Sequence, residues 1–374
     1  MPSPQRTIAR TMATRCCALA AVAALGCARP QSPSPPPIRH VFVIVLENKG
    51  FATTFGAGSP APYLADTLTR AGAFLRQYYG IGHSSLDNYI AMISGLAPTL
   101  ATQADCGVYE EFRDRGTAPD GQPLGSGCIY PAHVQTIATQ LTARQLTWAA
   151  YMEDMGANPA REAASCGHPV IGAADLTEMA TPADQYAAKH NPFVYFHSII
   201  DSASCQNNVV PLARLEADLR SADRTASFSF ITPNLCHDGH DQPCVNGEPG
   251  GLASANAFLS HWVPMITGSR AFRDGGLLIV IFDEAMGSDA SACCNERSGP
   301  NVSNAGVRGP GGGRTGAVLI SPFIAPGTVS DVPYNHYSML RSIEDIFGLA
   351  HLGYAGQPGL ASFGADVYRK TAGR

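Results

Sequence analysis

Residues 277–284 read LLIVIFDE, six apolar residues followed directly by two acids, and residues 41–48 read VFVIVLEN, an apolar run that ends in an acid and an amide. Unbroken runs of Val, Ile, Leu and Phe of this length are typical of strands buried on both faces, as in a parallel sheet. Residues 227–232 (SFSFIT) and 315–320 (TGAVLI) predict two further strands. The four runs therefore predict a mostly parallel sheet at the centre of the fold.

Helical patterns lie between these runs. They cover residues 132–145, 209–219, 253–263 (ended by Pro264) and 338–347. Strands that alternate with helices predict an α/β domain of three layers, with helices on both faces of the sheet. We expect one domain over residues 39–374, because no second composition regime follows the first strand. Two segments rich in Gly, Cys and Asp, residues 100–130 and 285–314, are expected to form loops over the carboxyl ends of the strands.

The composition excludes several classes of protein. Of the 374 residues, 45% are apolar and 15% charged, which argues against wholesale disorder and a coiled coil. The formal charge is −5, and the first 26 residues carry three arginines and no acid, so that their removal would leave −8. A chain this acidic lacks the broad basic face that binding to nucleic acid requires, and we expect no nucleic-acid partner.

The N-terminal segment is typical of export. Residues 16–26 form an 11-residue apolar run after the arginines, whereas a membrane span needs about 20 residues. Residues 1–26 are therefore interpreted as an export signal. Residues 24–27 (ALGC) resemble a bacterial lipoprotein cleavage box, so the protein is expected to be periplasmic, secreted or anchored through a lipid on Cys27. Residues 27–38, rich in Pro and Ser, are expected to form a tether.

Eight cysteines follow Cys27, and an even number in an exported chain predicts disulfides. Eight cysteines allow 105 pairings. Pairing of neighbours in sequence is the simplest hypothesis, and it gives Cys106–Cys128, Cys166–Cys205 and Cys236–Cys244. A bond between the adjacent Cys293 and Cys294 would be strained, which leaves a partner elsewhere open for one of them.

Oxygen-bearing side chains follow the two most apolar strands. Glu47 and Asn48 end the first, and Asp283 and Glu284 end the second. Ionised carboxylates in such surroundings are costly unless they are paired or bind a cation. The four side chains are therefore expected to hold one divalent metal ion of unknown identity. Capping of a helix N-terminus is the alternative.

Residues 82–89 (GHSSLDNY) predict a loop that enters a helix. A serine at a helix N-terminus lies in a positive field that stabilises both an alkoxide and an anionic ester. Ser85 is the candidate nucleophile, and the alternative is that Ser84 or Ser85 only caps the helix. The densest polar cluster is residues 237–241 (HDGHD), which a bond between its flanking cysteines would hold rigid. His190 and His336 stand beside predicted element ends, where a lone histidine is more often structural.

Seven segments together resemble a known family. They are residues 40–56 (HVFVIVLENKGFATTFG), 80–95 (GIGHSSLDNYIAMISG), 189–196 (KHNPFVYF), 228–241 (FSFITPNLCHDGHD), 277–284 (LLIVIFDE), 316–324 (GAVLISPFI) and 334–349 (YNHYSMLRSIEDIFGL). In this order they are similar to the bacterial phosphoesterase family of acid phosphatases and phospholipases C, in the alkaline-phosphatase-like superfamily. The resemblance implies a three-layer alkaline-phosphatase-like domain and a phosphoserine mechanism.

The resemblance also implies the site. The nucleophile falls on Ser85, three residues before Asn88, and the metal falls on the four oxygen-bearing side chains. The chain departs from the family where Ser84 and Asp87 replace two prolines, and an acid two residues from the nucleophile is expected to repel a dianionic phosphate. His240 is the candidate that protonates the leaving oxygen or binds the phosphate. His83, His190 and Asn88 are expected to contact the substrate.

The resemblance therefore predicts an acid phosphatase-type phosphomonoesterase that acts on a phosphorylated small molecule or lipid headgroup. One alternative is a phospholipase C-type phosphodiesterase. Another is a lipoprotein that binds a phosphate ligand without turnover, for which Asp87 is the sequence hint.

Overall fold

The computed structural model describes residues 1–3 and 35–369. Apart from residues 1–3, the predicted export signal lies outside the described residues, as do Cys27 and the tether up to residue 34. The chain divides into two units, Met1–Pro33 and Ser34–Arg374, and the elements below all belong to the second. Over the described ranges, we find no helix with the length and apolar character needed to cross a membrane.

The strands of residues 35–369 are β1 (His40–Leu46), β2 (Ala73–Leu75), β3 (Tyr78–Tyr79), β4 (Arg113–Thr117), β5 (Pro123–Ser126), β6 (Trp148–Met152), β7 (Val209–Pro211), β8 (Phe228–Thr232), β9 (Gly276–Phe282), β10 (Ala317–Ile320), β11 (Thr328–Ser330) and β12 (Tyr334–Asn335). Eight of these described strands form the central sheet, in the order β11-β2-β10-β9-β1-β8-β6-β7. The others pair as β3 with β12 and β4 with β5.

The α-helices of the same range are α1 (Phe51–Phe55), α2 (Thr69–Ala71), α3 (Ser85–Ser94), α4 (Ile137–Ala143), α5 (His197–Ile200), α6 (Ala203–Asn208), α7 (Ala213–Asp218), α8 (Gly251–Gly268), α9 (Arg270–Gly275) and α10 (His336–Phe347). Short 3-10 turns lie at Thr102–Ala104, Ala188–His190, Pro192–Tyr195 and Gly353–Gly356, and one π-helical turn at Tyr63–Leu68.

Strand β1 lies at the centre of the sheet, between β9 and β8, and is parallel to both. Its register with β9 pairs Leu46 with Phe282, so the polar residues that follow the two strands emerge side by side. Successive β1 residues face opposite sides of the sheet. Val41, Val43 and Val45 belong to one apolar core with α3 and α10, and the alternate residues belong to a second core with α8. The three-layer α/β prediction is confirmed.

The strand predicted at residues 315–320 forms as β10, but it runs antiparallel to both of its neighbours, β9 and β2. The chain leaves the carboxyl end of β9 and returns through residues 285–314, without a helix that would carry it to the other edge. A strand entered from the same edge must run in the opposite direction. The carboxyl end of β10 is therefore remote from the acids that follow β1 and β9.

Two of the predicted helices were wrong in extent. Residues 209–219 divide into β7 and α7, because Pro211 interrupts the helical pattern and the valine pair before it completes the sheet edge beside β6. Helix α8 continues past Pro264 to Gly268. Proline removes one helical hydrogen bond, but Ile266 beyond it is fully buried. That burial favours continuation of the helix.

The two remaining helix predictions differ mainly at their starts, and α4 also ends at Ala143 rather than at residue 145. Helix α4 begins at Ile137 rather than residue 132, because Thr136 caps its N-terminus in a reciprocal pair with Thr139. Helix α10 begins two residues early, at His336, after the cap Asn335. Strand β6 was not predicted, although Trp148–Met152 is an apolar run ended by Glu153 and Asp154, the pattern that marked β1 and β9.

The disulfides follow the pairing of neighbours. The structure joins Cys106 to Cys128, Cys166 to Cys205 and Cys236 to Cys244. It also joins Cys293 to Cys294, so neither has the partner elsewhere that the strain of an adjacent pair suggested. The other six cysteines of the described chain pair with their neighbours in sequence, so within it Cys293 and Cys294 can pair only with each other. Of the two predicted loops, residues 100–130 also contain the β4–β5 hairpin.

Candidate active site

The floor of the site is the pair of turns that follow β1 and β9. The backbone N–H of Asn48 donates to Oδ1 of Asp283 at 2.9 Å, and its side-chain amide donates to Oε2 of Glu47 at 2.8 Å. Asn48 has a positive φ of 55°, a conformation that asparagine tolerates better than most residues. The turn thus brings two buried carboxylates from different strands to one place.

Ser85 opens α3 and faces this floor. Its hydroxyl donates to Oε2 of Glu47 at 2.8 Å. Ser84 is the N-cap residue, but its hydroxyl donates away from the acids, to the carbonyl of Gln103 at 2.7 Å. The two adjacent serines therefore differ in what they contact, and Ser85 is the one at the carboxylates.

Asn88 and His83 tie the loop before α3 to Glu284. The Asn88 side chain accepts from the N–H groups of Ile81 and Gly82 and donates to Oε2 of Glu284 at 3.1 Å. Nδ1 of His83 lies 3.5 Å from Oε1 of Glu284, and its Nε2 contacts the carbonyl of Asp289 at 2.7 Å. Asn88 and His83 thus position Glu284 and the loop, and their contact with a substrate stays a prediction.

His190 lies between two buried acids. Its Nε2 is 3.5 Å from Oε1 of Glu47, and its Nδ1 is 3.3 Å from Oδ2 of Asp238. The ring also stacks on Tyr89 of α3, with centroids 5.2 Å apart. Sequence reasoning placed Asp238 in the HDGHD cluster without a role of its own. The structure places its carboxylate beside the His190 ring, within ion-pair distance but without a hydrogen bond.

His240 lies beside His190 at the edge of the site, with ring centroids 6.3 Å apart. Its Nδ1 is 2.8 Å from Oδ1 of Asp241, and its side chain is 37% exposed. This exposure gives His240 the access to solvent that the buried His190 lacks. His336 is not part of the site surface, because it is buried and bridges the carbonyl of Asp283 and the hydroxyl of Tyr78.

Residues 234–241 are fixed on this floor by several contacts. The N–H of Glu47 donates to the carbonyl of Asp238 at 2.8 Å, and the ammonium of Lys49 donates to the carbonyl of Gly239 at 2.7 Å. His237 lies between Glu153 and Glu248, at 2.9 and 3.1 Å. The hydrogen bond with Glu153, followed by the other contacts of these acids, outweighs partial burial and raises the pKa of His237 to about 9.

Burial dominates the electrostatics of the site. It raises the pKa values of Glu47, Asp238 and Asp283 well above normal, and the charges of neighbouring acids raise them further. Burial likewise raises the pKa of Glu284 to about 7, against the opposing effect of His83. Burial lowers the pKa of His190. Such a dry set of acids binds protons or a cation more readily than acids in water do.

Two carboxylate atoms in the described chain are left without hydrogen bonds at the floor, Oε1 of Glu47 and Oδ2 of Asp283. Buried polar atoms normally have partners, so two unpartnered carboxylate oxygens fit the ligand chemistry of a divalent cation. Groups of three His, Cys, Asp or Glu donors within 4.8 Å occur elsewhere in the described residues, at Cys236, His237 and Glu248 and at Cys293, Cys294 and Glu296. Both groups use disulfide cysteines, which have no thiolate to offer. The predicted set is not among these groups, and the carboxylate of Glu284 contacts Asn88 and His83.

Asp87 is a fully buried acid whose two carboxylate oxygens have no hydrogen-bond partner within the described residues. Burial raises its pKa well above normal, and the charge of Glu284 adds to the effect. Its carboxyl group packs against Gly82, where a Cβ would collide with it. Burial thus favours the neutral form of this enclosed acid, and the neutral form does not repel a phosphate, so the structure gives no support to the expected repulsion.

Lys189 and Asp105 form a further charged pair that sequence reasoning missed. The ammonium of Lys189 lies 3.1 Å from Oδ2 of Asp105. The other oxygen of Asp105 accepts the N–H of Leu86, the residue after Ser85, at 3.0 Å. Only the position of Lys189 directly before His190 could have drawn attention to it.

Comparison with known families agrees with this architecture. The profile of the phosphoesterase family matches residues 59–350. A solved structure of a protein in the alkaline phosphatase superfamily from Vibrio parahaemolyticus has a TM-score of 0.50 and 14% sequence identity, and the match covers 86% of this chain and 69% of that one. This likeness shows that the two proteins share a fold.

Two relatives have names that state an activity. A probable acid phosphatase of Kluyveromyces lactis is 24% identical over 320 residues, which cover 84% of this chain and 59% of that protein. A phosphatidylinositol-3-phosphatase of Mycobacterium tuberculosis is 24% identical over 320 residues, which cover 86% of this chain and 80% of that protein. The chain thus spans less than two thirds of the yeast relative.

Proposed function

The chain belongs to the phosphoesterase family, and from this premise we propose that it is a hydrolase of phosphoric esters, an acid phosphatase-type phosphomonoesterase that acts through Ser85. The observation that carries the proposal is the 2.8 Å contact between the hydroxyl of Ser85 and Oε2 of Glu47. It places a hydroxyl at the N-terminus of α3 against a base, where a helix favours negative charge.

A divalent metal ion is part of the proposal. The unpartnered oxygens of Glu47 and Asp283 fit one, and Glu47, Asn48, Asp283 and Glu284 would hold it. When bound, such an ion supplies positive charge that stabilises the oxygens of a phosphoryl group and favours the ionised form of the nucleophile.

The residues of the chain account for the proton transfers. Ser85 forms a bond to phosphorus while its hydroxyl proton passes to Glu47, and the ester oxygen leaves with a proton from His240. His240 is suited to this because it is partly exposed. Water then attacks the phosphoserine and passes a proton to His240, while the serine oxygen leaves phosphorus with the proton held by Glu47. Inorganic phosphate is released, and Ser85, Glu47 and His240 return to their starting states. His190, held between Glu47 and Asp238, fixes the position of the base.

The substrate is proposed to be a phosphate monoester on a small molecule or a lipid headgroup. The name of the Mycobacterium tuberculosis relative, a phosphatidylinositol-3-phosphatase, favours including lipids. The rival functions are a phospholipase C-type phosphodiesterase and a phosphate-binding lipoprotein without turnover. We further propose that the protein is exported, either secreted, periplasmic or anchored through Cys27.

The experiment is release of product from p-nitrophenyl phosphate and from phosphatidylcholine, each with and without a chelator. The proposal expects turnover of the phosphomonoester that the chelator abolishes and divalent ions restore. Preference for phosphatidylcholine would favour the phosphodiesterase. Binding of phosphate without turnover of either ester would favour the lipoprotein.

A further inference from the structure

The chain places two of its three lysines beside the site. Lysines stand at positions 49, 189 and 370, against 22 arginines in the chain. The ammonium of Lys49 is held on the carbonyl of Gly239 in the floor. That of Lys189 lies at Asp105, with its side chain 11% exposed. A nearly buried cation at this position requires an explanation, because burial of a charge is costly.

Asp105 connects Lys189 to the turn that carries the nucleophile. One carboxylate oxygen binds Lys189, and the other accepts the N–H of Leu86 at the start of α3. Asp105 and Cys106 have positive φ angles of 49° and 56°, which non-glycine residues adopt only where their surroundings enforce them. The bond from Cys106 to Cys128 helps to enforce them here. The carboxylate of Asp105 thus lies between the ammonium of Lys189 and the first turn of α3 and contacts both.

The charge balance around Ser85 shows what Lys189 could do. Acidic side chains dominate the surroundings: Glu47, Asp105, Asp238, Asp283 and Glu284. Burial lowers the pKa of Lys189, but the charges of Asp105 and Glu47 outweigh it and raise the pKa above normal. A terminal phosphate carries one more anionic oxygen than a diester does at neutral pH. A site that selects monoesters over diesters therefore needs a positive charge for this extra oxygen, in addition to the charges that bind the oxygens common to both esters.

We propose that Lys189 binds this additional anionic oxygen and so sets a preference for phosphate monoesters over diesters, with Asp105 orienting its ammonium. The proposal rests on the proposed function, since it names the substrate class of the same site. Lys189 contacts the phosphoryl group, whereas Asp105 acts through Lys189 and is a positioning residue.

The test compares the full chain with the variants Lys189→Met, Lys189→Arg, Asp105→Asn and Asp105→Asn with Lys189→Met. Asparagine retains the acceptor for Leu86 and tolerates the positive φ. Binding of inorganic phosphate and of dimethyl phosphate is measured by calorimetry. Hydrolysis of p-nitrophenyl phosphate and of bis(p-nitrophenyl) phosphate is measured in parallel.

We expect Lys189→Met to weaken binding of inorganic phosphate by about tenfold or more, the effect of one charge-assisted hydrogen bond. Binding of dimethyl phosphate should change by less than about threefold. The KM for the monoester should rise with little change in kcat, and Lys189→Arg should retain most of the binding. Because Asp105 orients the ammonium, Asp105→Asn should weaken binding of inorganic phosphate, though by less than Lys189→Met does. The double variant should bind phosphate no more weakly than Lys189→Met alone.

Two results would overturn the proposal. Equal losses for both ligands in Lys189→Met, restored in the double variant, would mean that Lys189 only neutralises Asp105. Unchanged phosphate binding in Lys189→Met would exclude the contact itself. Failure of the proposed function looks different, because the wild type would then bind phosphate but hydrolyse neither ester, and the binding comparison would still decide the role of Lys189.

Discussion

The hydroxyl of Ser85 and Oε2 of Glu47 lie 2.8 Å apart, although 38 residues separate them in the chain. The first begins α3 and the second ends β1, so the contact depends on a helix N-terminus that meets the carboxyl end of a central strand. Crevices beyond the carboxyl ends of such strands are where α/β folds bind ligands. Ser84, one residue away, has its hydroxyl on the carbonyl of Gln103 instead.

The first prediction uses this difference between the serines. Ser85→Ala should reduce turnover of p-nitrophenyl phosphate by more than about a thousandfold, because no other hydroxyl replaces the nucleophile. Its melting temperature should stay close to that of the wild type. Ser84→Ala is the matched control and should retain most of the activity. If Ser84→Ala is the inactive variant, the assignment of the nucleophile is wrong.

The second prediction concerns the metal. Oδ1 of Asp283 accepts the N–H groups of Asn48 and Glu284, and asparagine at position 283 would keep an oxygen for them. Asp283→Asn should therefore preserve the turn but lower metal affinity, since one negative charge is lost. We expect lower activity that recovers partly at higher metal concentration, measured together with metal content. Asp331→Asn, at an exposed pair with Arg76, is the control. Full activity of exhaustively chelated wild type would contradict the metal proposal.

The third prediction tests whether Asp87 impairs phosphate binding. Because burial raises the pKa of Asp87 well above normal and so favours its neutral form, Asp87→Asn should change kcat/KM for p-nitrophenyl phosphate by less than about threefold. Inhibition constants for inorganic phosphate should be similar in both proteins. A large gain in phosphate affinity in Asp87→Asn would show that the carboxyl group is charged and faces the substrate, as the sequence suggested.

A site residue could be predicted from the sequence when its neighbours in sequence distinguish it from other polar residues. Glu47 and Asp283 interrupt apolar runs, and a polar residue at the end of a buried strand is a local signal. The carboxyl ends of parallel strands meet at one edge of the sheet, so the two acids were expected to lie close together. The parallel register between β1 and β9 places them there.

Other residues acquire their roles only through distant contacts. Asp238 is one of several polar residues in a cluster, and nothing local distinguishes the one that meets His190. Asp105 acts on α3 from 19 residues downstream of Leu86. The direction of β10 depends on how a 30-residue connection returns to the sheet, and the continuation of α8 past Pro264 depends on burial of Ile266. Tertiary packing decides such features, and local propensity does not encode it.

The fourth prediction concerns stability and pH. Glu344 is fully buried, and burial raises its pKa to about 8 from an ordinary value of 4.5. Between these values the folded state binds more protons than the unfolded chain, so the free energy of unfolding falls as pH rises. The slope from this group is at most about 1.4 kcal/mol per pH unit.

Glu344→Gln should therefore flatten the fall in the free energy of unfolding between pH 5 and pH 8. Glutamine keeps an acceptor for the N–H of Leu352, which Glu344 binds at 2.9 Å. Glu216→Gln, at an exposed acid paired with Arg220, should leave the slope unchanged. Denaturant unfolding at several pH values measures both variants. Equal slopes in Glu344→Gln and wild type would mean that Glu344 is ionised in the folded protein.

The last prediction compares two disulfides that differ in position and in the length of chain they close. Cys236–Cys244 spans 8 residues and Cys166–Cys205 spans 39. In the chain-entropy model, bonds of these lengths stabilise the folded state by roughly 2.5 and 4 kcal/mol. Entropy alone therefore predicts that loss of the Cys166–Cys205 bond lowers the melting temperature more than loss of the Cys236–Cys244 bond does.

The effect on turnover should be reversed. Cys236–Cys244 flanks residues 237–241, which supply Asp238 to His190 and the carbonyl that holds Lys49. Without the bond this segment keeps the contacts of His237 with Glu153 and Glu248 and those of Asp238 and Gly239 with the floor. The turn that carries His240 is no longer closed, so His240 should no longer meet the leaving oxygen in one geometry. Cys236→Ser with Cys244→Ser should therefore lower kcat strongly with a modest loss of melting temperature, whereas Cys166→Ser with Cys205→Ser should do the opposite. Mass spectrometry of unreduced peptides verifies the pairing first. If both double variants lose activity only in proportion to their loss of stability, the Cys236–Cys244 bond has no specific role in positioning His240.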